Sequence, residues 1–238
     1  MICLTFDTDW MGNRDIERFL EAFPIPGEAT FFLHQAIPAL HSTKHELCPH
    51  PFIDSLSSWL PGLEALSRDL PIIPRGVRPH SCVFSHMIAV QLHQSGYQYV
   101  SQAMNLYQTG LVPSRHPWGI WEMPIYYMDN MDFCTPQNWP GLEHTVFDER
   151  VIDAALKEKG LYVFDFHPLH IALNTRSHAD YLKVKDGIIG HEASPFDLAF
   201  GGQGTRDFFL RLCSAMRAAG QQSHGCWSAL KALGQSRC

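Results

Sequence analysis

Short apolar runs alternate with stretches of helical period along almost the whole chain, and this alternation limits the possible folds more than any other feature. ICLTF (2–6) reads as a strand. DIERFLEAF (15–23) has apolar residues at 16, 19, 20 and 23, the spacing of one helical face, and Pro24 and Pro26 stop it. ATFFL (29–33) is a second strand, HELCPH (45–50) a short third one, and SWLPGLEALSRDL (58–70) a helix. PIIPRGVRPH (71–80) carries a strand into Arg78, followed by a helix at 85–96 and strands at 97–102 and 120–129. A helix at 148–160, the strand LYVFDFHP (161–168) and an amphipathic helix at 205–220 complete the series, with loops at 103–119 and 186–204. The alternation predicts an α/β fold with a mainly parallel sheet or barrel. There is no internal repeat, and 238 residues suit one domain over 1–238.

Composition removes several classes of function. A net charge of −6 offers no basic surplus for nucleic acid or an anionic membrane. No apolar run reaches the roughly 18–20 residues of a transmembrane helix. MICLTFDTDW has neither a basic leader nor a signal-type apolar stretch, so the cytoplasm is the expected compartment. Seven scattered cysteines without a CxxC pair argue against a disulfide scaffold and a thiolate zinc site.

Polar residues gather where the strands stop. Asp7 and Asp9 follow the first, His50 the third, Arg78 and His80 a later one, and His167 and His170 the last. In parallel α/β folds and barrels, sites form at the carboxyl ends of strands, so these groups are expected to converge. Carboxylate and imidazole together suit a divalent metal such as zinc. A metal with an open position acidifies bound water and polarises a carbonyl. A second carboxylate can take the proton from that water, and a second histidine can protonate a leaving amine. An arginine beside the carboxylate would hold it ionised and oriented. This is the equipment for hydrolysing an amide or ester.

The same residues carry a family resemblance. TFDTDW (5–10) resembles the TFDD opening of the NodB-type polysaccharide deacetylases, carbohydrate esterase family four. ATFF (29–32), HELCPH (45–50), GVRPHS (76–81), WEMPIYY (121–127) and FDFHPLH (164–170) are similar to that family's second-strand, GHEIGxH, arginine, Glu-Pro and closing histidine motifs. They run in family order over residues 1–175, and their variant forms are most similar to the deacetylase-like proteins of bacterial O-antigen and surface-polysaccharide loci. The resemblance implies a distorted (β/α) barrel of about seven strands. It also implies metal-dependent removal of an acyl group, N-acetyl first, from a sugar in surface-polysaccharide (lipopolysaccharide) biosynthesis. By this resemblance Asp7 is the catalytic base, Asp9 a metal ligand, Arg78 the partner of the base and His167 the general acid. The family's two aspartates are adjacent, whereas Thr8 separates them here, so an exchange of their roles stays open.

HSTKH (41–45) matches the family's H-[ST]-x-x-H metal motif letter for letter. However, the eight residues between Phe32 and His41 are too few for the helix that should follow the ATFF strand. Counting four from Glu46, as the family spacing requires, reaches His50, and four further is Asp54 rather than a histidine. Asp54 shares a face with His50 if 50–54 is a helical turn, and is taken as the third ligand, with His80 as the alternative. His80, Trp10 and His170 are expected to contact substrate; Trp10, Trp118, Trp121 and Trp139 can be read as platforms for sugar rings or, more simply, as core and rim aromatics. The expected substrate is an acylated sugar, nucleotide-sugar or lipid-linked glycan. Two other readings stand beside this one: a catalytically degenerate glycan-binding or assembly protein on the same scaffold, and a metal amidohydrolase acting on a small non-sugar amide.

Overall fold

A computed structural model of the chain describes residues 1–55, 57, 59–134, 145–190 and 192–234. Its centre is a parallel sheet. β1 (Ile2–Asp7) pairs with β2 (Ala29–Leu33) on one side and with β9 (Tyr162–Phe166) on the other. β3 (Glu46–Pro49) extends the sheet beyond β2, and β8 (Ile125–Met128) beyond β9. The second sheet has β4 (Gly76–Val77), β5 (Tyr99–Val100) and β7 (Trp121–Glu122) in parallel, with β6 (Ser114–Arg115) antiparallel at its edge. Helices α1 (Asn13–Ala22), α2 (Trp59–Arg68), α3 (His86–Gln94), α4 (Asp129–Cys134) and α5 (Glu149–Lys157) precede β9. Helices α6 (Pro168–Leu173), α7 (His178–Ile189), α8 (Thr205–Ala218) and α9 (Cys226–Ala232) follow it. No described helix is long and apolar enough to cross a membrane.

Backbone hydrogen bonds join the two sheets at both seams, giving the distorted (β/α) barrel. On one side Arg78 N–H donates to the Pro49 carbonyl (3.2 Å) and His80 N–H to that of Pro51 (2.9 Å). On the other, the expected loop 103–119 runs beside β8, with Ile125 N–H donating to Ala103 (2.8 Å) and Asn105 N–H to Ile125 (2.9 Å). The 120–129 stretch, read as one strand, is two strands in different sheets, because Pro124 has no N–H for a ladder. Only Gly76 and Val77 of 71–80 pair as a strand. Gly76 is required there, since a Cβ would lie 2.0 Å from the Tyr99 ring.

Alternation sorts the strand side chains. Leu4 and Phe6 of β1, Phe31 of β2 and Phe164 and Phe166 of β9 join Phe19, Phe208 and Leu212 of α1 and α8 in the main hydrophobic core. Cys3, Phe32, Cys48 and Val163 form a second cluster on the opposite, inner face. Because strand residues alternate, Thr5 and Asp7, Glu46 and His50, and Asp165 and His167 also belong to that inner face. Its carboxyl-end rim is where the polar residues meet.

Candidate metal centre

β1 runs on past Asp7 without turning. The Thr8 N–H and hydroxyl both donate to the Phe32 carbonyl, at 3.1 and 3.2 Å, which keeps the chain extended beside β2. Asp7 and Asp9 therefore share a face, and both are buried. His50 follows β3, and its N–H donates to the Leu33 carbonyl at 2.6 Å. His80 arrives beside it through the seam bonds that pair 78–80 with 49–51.

Asp9, His50 and His80 form the one described group whose ligand atoms could jointly hold a metal ion. His50 Nε2 lies 3.4 Å from His80 Nδ1 and 3.6 Å from Asp9 Oδ1, and His80 Nδ1 lies 3.5 Å from Asp9 Oδ2. Ligand atoms about 2.0–2.1 Å from a tetrahedral ion are about 3.4 Å apart, so the spacing fits. Asp9 Oδ1 is buried without a hydrogen-bond partner, since 3.6 Å is an ion-pair distance and too long for a hydrogen bond. His50 Nδ1 lies 2.7 Å from the Arg78 carbonyl, which fixes the proton on Nδ1 and leaves the Nε2 lone pair facing Asp9 and His80. Burial opposes charge on Asp9, but the His50 and His80 imidazoles, then His167, outweigh it and hold the carboxyl well below the usual carboxylate range.

Asp54 falls outside this group. Residues 51–55 form no helix, so it does not share a face with His50, and its side chain is exposed. The missing ligand of the sequence pattern has a counterpart in His80, expected above to contact substrate. Of the matched motif, His41 is exposed and His45 Nδ1 is 3.2 Å from the Ala29 N–H, and neither joins the group.

Two further arrangements flank the three ligand candidates. Arg78 is fully buried inside the barrel. Its Nη1 donates to Asp7 Oδ1 (2.8 Å), to the Thr5 hydroxyl (2.9 Å) and to Asp165, while Nη2 and Nε donate to the Ser101 hydroxyl and carbonyl. Burial pushes Asp165 up to about 7 against the pull of Arg78. On the other flank, His167 Nδ1 lies 2.7 Å from Asp129 Oδ1, and Asp129 Oδ2 accepts the His167 backbone N–H at 2.8 Å. His167 Nε2 thus faces Asp9 Oδ2 at 3.7 Å. Burial works against the imidazolium, but Asp129, then Asp165 and Asp7, push His167 up to about 10.

Asp129 and Asp165 were not among the expected site residues, although signals for both were present. Asp129 ends the 120–129 run, where the strand-end rule applies. Asp165 precedes His167 by two, on the same face of β9.

A cavity of about 260 Å³ opens over the group, lined by Asp7, His167, Ser81, Cys82 and Met128 among others. Ser81 and Cys82 both adopt left-handed backbone, at φ 56° and 53°, directly after His80. Consecutive non-glycine residues in that region carry strain of the kind found at functional sites. His170 does not line this cavity: it packs behind His167, ring centroids 5.2 Å apart, with Nδ1 3.1 Å from the Thr175 hydroxyl. Trp10 and Trp118 lie outside its lining as well, and Trp121 packs against the inner cluster. Trp139 lies outside the described residues.

A family model for WbmS-like polysaccharide deacetylases matches residues 4–185. The chain belongs to that family. Membership supports a carbohydrate-deacetylase, hence hydrolase, role for this WbmS-like protein, in line with the resemblance carried by its motifs. Among solved structures it is similar to a Bordetella bronchiseptica protein described as a polysaccharide deacetylase involved in O-antigen biosynthesis. The two are 22% identical, with 90% of this chain and 89% of that chain covered at a TM-score of 0.70. A 4-alpha-glucanotransferase from Thermococcus litoralis is 12% identical at a TM-score of 0.53, covering 98% of this chain and 38% of that one. That second likeness shows that the barrel alone does not fix the chemistry. No curated protein matches the sequence.

Proposed function

We propose that this protein is a metal-dependent hydrolase that removes an acyl group, N-acetyl first, from a sugar used in building surface polysaccharide. The observation that carries the reading is the cluster of Asp9, His50 and His80 at mutual distances suited to one divalent ion, zinc by the chemistry of its donors, with an acid and a base on either side. When bound, such an ion would polarise the acyl carbonyl and lower the pKa of a water.

The remaining work falls to side chains of this protein. Asp7 is held by Arg78 on Oδ1, which leaves Oδ2 facing the cavity floor, 3.7 Å from His50 Nε2, to accept the proton of the attacking water. Arg78 orients that carboxylate and shares its charge with Asp165. His167, gripped through Nδ1 by Asp129, presents Nε2–H to the departing amine. These surroundings support Asp7 as base and Asp9 as ligand, in the order the resemblance implies. Asp9 has both imidazoles beside it, while Asp7 has the guanidinium.

The degenerate glycan-binding reading drew its support from an absent third ligand, and the position of His80 removes that support. The experiment is to measure acetate released from N-acetylated sugars by the chelated protein and by the protein reloaded with zinc. Release restored by the ion is expected. Metal retained with no release from any sugar, and release from small non-sugar amides, would overturn the sugar assignment.

A further inference from the structure

Two residues that line the metal-centre cavity carry a buried acceptor with no hydrogen-bond partner. One acceptor is Asp9 Oδ1, which the metal reading uses. The other is Asn130 Oδ1, which has no part in that reading. A buried carbonyl left unpaired costs free energy, so a native fold that keeps one calls for a reason.

Asn130 is held beside the general acid. Its backbone N–H donates to Asp129 Oδ1 at 2.6 Å, the same oxygen that grips His167 Nδ1 at 2.7 Å. The Asn130 side chain is half-buried and makes no hydrogen bond among the described residues at either end of its amide. A turn about its last torsion therefore presents either end to the cavity with no bond lost. Its neighbours in the lining, Met128 and Met131, offer it nothing stronger than a thioether.

The chemistry of the leaving group says which end is wanted. The nitrogen of a scissile amide has two needs. Its lone pair takes the proton of His167 Nε2, and its own N–H must find an acceptor once water is excluded. The nearby carboxylates are engaged. Asp7 is held by Arg78 and serves the attacking water, Asp9 faces two imidazoles, and Asp129 accepts from His167 and from the Asn130 N–H. Asn130 Oδ1 is left to accept. An ester oxygen in the same place carries no hydrogen, and its lone pairs would face those of Oδ1.

We propose that Asn130 is a specificity-determining residue whose Oδ1 accepts from the N–H of the scissile amide, so that the protein takes N-acyl in preference to O-acyl groups. The proposal rests on the deacylase reading above, but one arm of its test does not depend on turnover. The probes are the methyl glycoside of N-acetylglucosamine and its O-acetyl counterpart, with an ester in place of the amide. Acetate release gives kcat/KM for each, and calorimetry gives the binding of each to the zinc-loaded chain in an Asp7→Asn background. The amide is expected to be favoured in both. Asn130→Leu, of similar volume, should lower the amide-to-ester ratio about tenfold, the loss of one hydrogen bond. Asn130→Asp keeps the acceptor and should keep the ratio; an equal loss there would place the contact on Nδ2 and overturn the assignment. A ratio unmoved by Asn130→Leu, with acetate released, overturns the assignment and leaves the deacylase reading standing. A binding ratio that falls in Asn130→Leu, with no acetate released by the Asp7-containing protein, keeps the contact and rejects the deacylase reading. Neither probe bound and neither cleaved removes both.

Discussion

The inner face of β3 carries Glu46 at one end and His50 at the other, about 13 Å apart along one strand. Both are ionisable and enclosed, and their surroundings differ. Glu46 Oε1 accepts from the Tyr99 hydroxyl at 2.9 Å, and Oε2 accepts from the Thr30 hydroxyl at 2.7 Å and the Trp227 N–H at 3.0 Å. Glu28 Oε2 caps the same helix start through the Ser228 hydroxyl at 2.5 Å. Both Glu46 oxygens are occupied, and the result is a tie that fastens α9 to the sheet. At the His50 end Asp9 keeps a buried, unpartnered oxygen beneath an open cavity. Buried charge with complete partners holds structure together, whereas buried charge with a vacancy facing solvent points to chemistry.

Four substitutions test that contrast. Asp7→Asn should lower turnover by about 10²–10⁴-fold with the metal retained, the range for loss of a general base, measured as kcat beside metal stoichiometry. Loss of metal in that variant would mean that Asp7 and Asp9 exchange roles. His50→Ala leaves two candidate ligands, and the protein should come off dialysis without stoichiometric zinc, as read by elemental analysis.

At the opposite end, Glu46→Gln should leave metal content unchanged but cost about 1–3 kcal/mol in urea unfolding, because an amide cannot accept from all three donors. Burial raises the Glu46 pKa in the folded state more than its hydrogen bonds lower it. Its contribution is therefore full below the unfolded value of about 4.3 and is lost as pH rises through the folded value. The glutamine variant should lack that step in stability against pH. His41→Ala should be the mildest, within about 0.5 kcal/mol and with unaltered metal binding. A large drop in zinc affinity there would mean the HSTKH motif is used after all.

Much of the barrel was legible because its central strands are buried on both faces and read as apolar runs, and because polar groups at their carboxyl ends mark the rim. Helices without a clean face were not legible. All of α6 is buried, and α7 buries Asp180 while leaving Leu182 exposed, the inverse of the expected pattern. The split at Pro124 was visible as a proline but not weighed as a strand boundary. His80 rather than Asp54 stands beside His50 because segments 49–51 and 78–80 pair across a seam, and no local period reveals such a long-range pairing. The pairing of Asp165 was hidden for a related reason. Its partner, Arg78, lies 87 residues away in the chain, and the sequence shows only a charged residue inside an apolar strand.

Thr8 touches no candidate ligand, yet it governs where two of the acids point. By clasping the Phe32 carbonyl twice it carries the direction of β1 one residue past Asp7, so that Asp9, at the start of the following turn, lies with Asp7 beside His50. Deleting it would restore the adjacent spelling of the wider family while swinging one carboxylate to the outside of the wall. A graft of the double-aspartate spelling onto this scaffold would therefore need a different backbone path after the first strand to keep both carboxylates beside His50.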